Sequence, residues 1–101
     1  MTNTPAPVAQ TDDEAVAAFA ELMRKKLAKK RNDGRSGWQE CDPGDLAYML
    51  VEHIAKGDPV DIANFAMFLG LLGKPRSDIR RALRDGLESY VATQMTVKVT
   101  T

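Results

Sequence analysis

The chain has 101 residues, 44% hydrophobic and 28% charged, with 14 Lys and Arg balanced by 14 Asp and Glu. That length admits one domain with a modest core, and the even charge gives no field to draw nucleic acid, so nucleic acid is not an expected partner. One cysteine, Cys41, excludes an internal disulfide framework and a cysteine-based zinc site. No apolar run approaches the ~20 residues of a spanning helix, and the N-terminus lacks a signal pattern; a cytoplasmic protein without membrane contact is expected.

Residues 1–10 (MTNTPAPVAQ) are uncharged, contain two prolines and show no periodicity, so a disordered tail is expected. Thr11-Asp12-Asp13-Glu14 matches a capping box, in which hydroxyl and carboxylate satisfy each other's backbone donors. The first helix should run from Asp12 to about Arg31. Val16, Phe19, Ala20, Met23 and Leu27 recur at spacings of three and four and form its buried stripe. Its last turns are strongly basic, with Lys26 and Lys30 one turn apart and Arg35 just beyond. Such a run is either a solvated face matched to the helix dipole or an anion-binding patch. Gly34 should end the helix in the left-handed conformation.

Trp38, the only tryptophan, sits in the next loop, as a core plug or as a stacking platform. Cys41 has no neighbouring base to make it a nucleophile. Asp42-Pro43 then starts a second helix reaching about Lys56, with His53 at the edge of its apolar face. Gly57 stops that helix and Asp58-Pro59 at once starts a third, ending at Gly73. So short a connection makes the two helices antiparallel neighbours. Ser77-Asp78 should cap a fourth helix reaching about Met95, and residues 96–101 (TVKVTT) should form a tail. The expected fold is all-α, a four-helix, bundle-like single domain over 11–95 with a central antiparallel hairpin at about 43–73. The third helix is apolar on more sides than one thin layer can cover, which predicts a homodimer through the second and third helices.

The third helix also carries Asp58, Asp61 and Asn64 at three-residue intervals, on one face. In a tight hairpin Glu52 lies at a similar height. Glu52, Asp58 and Asp61, helped by Asn64, could hold a hard cation such as Mg²⁺, which takes a few oxygen ligands and keeps its waters. The alternative is structural: Asp58 caps, Asp61 complements the dipole and Glu52 pairs with Lys56.

Three segments carry a family resemblance: FAELMRKKLAKKR (19–31), Gly37-Trp38, and DIANFAM (61–67). Together they resemble the small phage-encoded members of the MazG-like, all-α nucleotide pyrophosphohydrolase group. In that group a Glu-Glu-x-x-Glu helix and a Glu-x-x-Asp helix bind Mg²⁺, which positions a nucleoside triphosphate for water attack. Asp58-x-x-Asp61 matches the second motif with its first acid shortened. The first motif is not matched, because its place reads Val51-Glu52-His53-Ile54-Ala55-Lys56. The resemblance therefore favours the fold over the activity.

Three functions follow. The first is a non-catalytic binder of a nucleotide or other phosphorylated ligand, with Lys26, Lys30 and Arg35 on the phosphates, Trp38 on the base and Asn64 beside them. The second is an Mg²⁺-dependent pyrophosphohydrolase in which Glu52 and Asp61 act catalytically and Glu52, Asp58 and Asp61 hold the metal. The third is a protein-interaction module acting through its apolar surface.

Overall fold

The computed structural model describes residues 11–100; the expected tail at 1–10 lies outside them. Four α-helices follow in order: α1 (Asp12–Asn32), α2 (Pro43–Lys56), α3 (Pro59–Leu71) and α4 (Arg76–Thr100). A 3-10 turn at Trp38–Glu40 joins α1 to α2, and the described residues contain no strand. The protein is all-α, as its periodicity requires.

The helix starts follow from local chemistry. Thr11 Oγ1 accepts the Glu14 N–H at 3.1 Å, and the Thr11 N–H donates to Glu14 Oε1 at 3.0 Å, so the capping box is complete. Asp42 caps α2 by accepting the Gly44 N–H at 2.9 Å. Asp58 caps α3, its Oδ1 accepting from Val60 at 3.0 Å and Asp61 at 3.3 Å. Gly57, at φ +80°, takes the left-handed conformation that turns α2 directly into α3.

The C-terminal expectation is corrected. Helix α4 does not stop near Met95 but continues through the segment expected as a tail, to Thr100. No Gly or Pro interrupts that segment. Hydroxyls just before it and at its first residue are absorbed into the helix, with Thr93 Oγ1 donating to the Ser89 carbonyl at 2.9 Å and Thr96 Oγ1 to that of Ala92 at 3.0 Å. Its Val and Thr residues lower helix propensity by only about 0.5 kcal/mol each and do not end a helix by themselves.

Helix α2 packs on both α3 and α4, and α1 packs on α3. Leu46, Ala47 and Leu50 from α2 meet Phe65, Phe68 and Leu69 from α3, with Leu27, Trp38, Ile79 and Leu83 closing the margins. Burial of each Leu or Phe contributes about 2–3 kcal/mol, so the hairpin is the stabilising centre. The apolar surplus of α3 is largely spent inside the chain: Ile62, Met67 and Leu72 pack against the core, and Leu71 alone of the set is exposed. Ile54 of α2 and Leu71 of α3 are the large apolar side chains the hairpin leaves exposed. Among the described residues no helix is long and apolar enough to cross a membrane.

Candidate functional site

The hairpin, the end of α1 and the loop at 35–41 enclose a cleft of about 450 Å³. Its floor is aromatic because α3 places Phe65 and Phe68 toward α2 at three-residue spacing. Trp38 stacks on Phe68 with ring centres 4.8 Å apart and 7° between planes. Phe68 in turn meets Phe65 edge-on at 5.7 Å, and His53 tilts against Phe65 at 4.8 Å. The His53 Nδ1–H donates to the Met49 carbonyl at 2.7 Å, which fixes the ring in place. Trp38 is thus both the plug and a cleft wall, with one face of its indole covered by Phe68.

The rim is cationic. Lys30, Arg31 and Arg35 line the cleft, and no Asp or Glu does. Lys30 Nζ lies 5.0 Å from the centre of the Phe65 ring, a cation–π placement. Arg35 is tethered loosely to Asp33 at 3.5 Å, and both side chains are exposed. The Arg31 side chain has no ionic or hydrogen-bond partner among the described residues, although its carbonyl accepts the Gly34 N–H at 2.9 Å. The cleft thus combines a cationic rim with an aromatic floor.

Beside the cleft lies a compact charge cluster that bridges α1 and α3. Lys26 Nζ donates to Asp58 Oδ2 at 2.7 Å and lies 3.4 Å from Asp61 Oδ2. Lys30 Nζ lies 2.9 Å from Asp61 Oδ1, a contact of charge without hydrogen-bond alignment. His53 Nε2 approaches Asp61 at 3.8 Å. The Lys26 hydrogen bond, with the Asp61 and Val60 N–H groups adding to it, lowers the Asp58 carboxyl from 3.8 to about 2. The same hydrogen bond, aided by the charge of Asp61, raises Lys26. Asn64, wholly buried on the next turn, has neither its amide nitrogen nor its oxygen hydrogen-bonded.

These placements sort the residues singled out by sequence. Lys30, Arg35 and Trp38 come together in one cleft, while Lys26 and Asn64 are not among the groups that line it. Asp58 and Asp61 are neighbours, but Glu52, half-buried on α2, is not gathered with them. No three His, Cys, Asp or Glu side chains among the described residues form a metal-holding group. The Asp58 and Asp61 carboxylates are each in contact with a lysine ammonium, Lys26 with both and Lys30 with Asp61. Glu52, Asp58 and Asp61, expected as a metal set with Glu52 and Asp61 as its catalytic pair, are thus not brought together, and Asp58 and Asp61 instead form a salt-bridge cluster with Lys26 and Lys30. Sequence reasoning missed Arg31, His53, Phe65 and Phe68 as cleft residues. A signal for the cluster existed in lysines spaced by four on α1 and aspartates spaced by three on α3, which match in pitch.

Comparison of the chain with protein families, with curated proteins and with solved structures finds no match.

Proposed function

We propose that the cleft binds an anionic ligand with a flat aromatic portion, a nucleotide or comparable phosphorylated compound, and does not turn it over. One observation carries this reading: three basic side chains and an aromatic floor share a single cleft whose lining contains no carboxylate. Arg31 and Arg35 supply the phosphate contacts, since guanidinium forks match phosphate oxygens and Lys30 is already held by Asp61. Trp38, backed by Phe68, supplies the stacking surface. The resemblance of residues 19–31, 37–38 and 61–67 to the MazG-like group favours a nucleotide within this ligand class. The same resemblance does not favour hydrolysis, because the acids a metal would need are neutralised by Lys26 and Lys30.

Trp38 is the only tryptophan, so its fluorescence reports the cleft alone. Titration with ATP at low salt should quench it saturably, and the apparent affinity should fall as salt rises. Replacing Arg31 and Arg35 by Gln should weaken binding at least tenfold while leaving the far-ultraviolet spectrum unchanged. Quenching that is unchanged in the double variant, or no quenching at millimolar ATP, would defeat the reading.

A further inference from the structure

The two outer helices are under-supported in a way the hairpin is not. Helix α1 has 21 residues and none is buried. Helix α4 packs on α2 through Ile79, Ala82, Leu83 and Gly86, while Leu87, Val91 and Met95 are 52%, 46% and 61% exposed. At ~100° per residue these three share one face with Arg80 and Arg84, both exposed. That face is basic over its first half and apolar over its second. The first half of α1 carries the complementary order. Asp12 and Asp13 open it, and then come Val16, 69% exposed although it continues the inward stripe, and half-buried Phe19 and Ala20.

We infer that the first half of α1 in one chain packs against α4 of a second copy, in parallel and reciprocally, giving a two-fold dimer. A register offset of 71 places Asp13 opposite Arg84, Val16 opposite Leu87 and Ala20 opposite Val91. The spacings three and four on α1 match three and four on α4, as two helix ridges in contact require. Antiparallel pairing would bring the lysine-rich end of α1 onto the arginines of α4, and like charge disfavours it. Because α1 and α4 are different surfaces, a second copy satisfies both only when the contact is made twice, which closes the pair. Apolar stripes that are exposed on both helices among the described residues are buried together by this contact.

Sedimentation velocity tests this on the intact chain at micromolar concentration, with circular dichroism to confirm unchanged helix content. The wild type should sediment as a dimer of the 11.1 kDa chain. Val91→Glu should dissociate it. Arg84→Glu should raise the dissociation constant at least tenfold, and adding Asp13→Arg should restore most of that loss, which a purely apolar contact would not do. A monomer, an assembly larger than two, a dimer indifferent to Val91→Glu, or a double charge reversal no tighter than Arg84→Glu would each overturn the inference.

Discussion

Lys30 Nζ stands 2.9 Å from Asp61 Oδ1, with Asp61 almost fully buried between α1 and α2. A buried carboxylate of this kind is held by its partners and is costly without them. Lys30→Met should therefore destabilise the protein by about 3 kcal/mol, the low end for breaking a buried pair, because Lys26 remains at 3.4 Å. The double change Lys30→Met with Asp61→Leu should recover most of that loss, since no uncompensated charge is left. Urea unfolding of the three proteins measures both values.

The neighbouring pair gives a pH dependence of definite sign. Asp58 is lowered to about 2 in the folded protein, from 3.8. Its contribution to stability is fully present above about pH 4 and is lost as the pH falls toward 2. The melting temperature should drop across that window. In Lys26→Met the part of the drop owed to Asp58 should shrink, because the main cause of the lowered value is gone. Equal pH profiles for the two proteins would mean that the 2.7 Å contact does not set the titration.

Asn64 tests the balance between polarity and packing. Both polar atoms of its amide are buried and without a hydrogen bond, which costs roughly 1–3 kcal/mol relative to a satisfied group. Asn64→Leu, which keeps the branched four-atom side-chain skeleton but is bulkier, should be neutral or stabilising by up to about 2 kcal/mol in urea unfolding where the larger methyl groups are accommodated. It should leave ATP quenching of Trp38 unchanged, because Asn64 does not line the cleft.

The sequence makes most of the helical framework legible, and the reasons are local. Thr11-x-x-Glu14, Asp42-Pro43 and Asp58-Pro59 each specify a helix start through backbone donors within three residues, and all three starts stand where those residues put them. The end of α4 was not legible, because Thr93 and Thr96 satisfy their hydroxyls on carbonyls of their own helix and remove the reason to break it. The site divides along the same line. Lys30, Arg35 and Trp38, singled out from residue type alone, line one cleft. That Lys26 and Lys30 would face Asp58 and Asp61 depends on how α1 lies across α3, which no local pattern records. The same long-range contact joins these four side chains in one salt-bridge cluster.

Two glycines with identical local propensity should respond oppositely to the same substitution. Gly70, on an exposed side of α3, has nothing within 4 Å of the place a methyl group would take, so Gly70→Ala removes backbone freedom from the unfolded chain at no steric cost. It should stabilise by about 0.5–1 kcal/mol, less if the helix end frays. Gly86 is buried where α4 crosses α2. A methyl group there would lie 3.1 Å from the Tyr48 backbone nitrogen and 3.2 Å from the Ala47 carbonyl carbon. Those neighbours are backbone atoms in a helix and cannot swing aside as a side chain can, so α4 itself must move. The shift would loosen Ile79 and Leu83 from the core and tilt Tyr90 away from Tyr48, whose rings now lie 6.2 Å apart. Overpacking of this kind costs about 1–3 kcal/mol, which exceeds the propensity gain of at most about 1 kcal/mol. Gly86→Ala should therefore be destabilising overall, and Gly86→Val more so. Thermal or urea unfolding of the pair decides it, and a stabilised Gly86→Ala would mean that α4 does not approach α2 this closely.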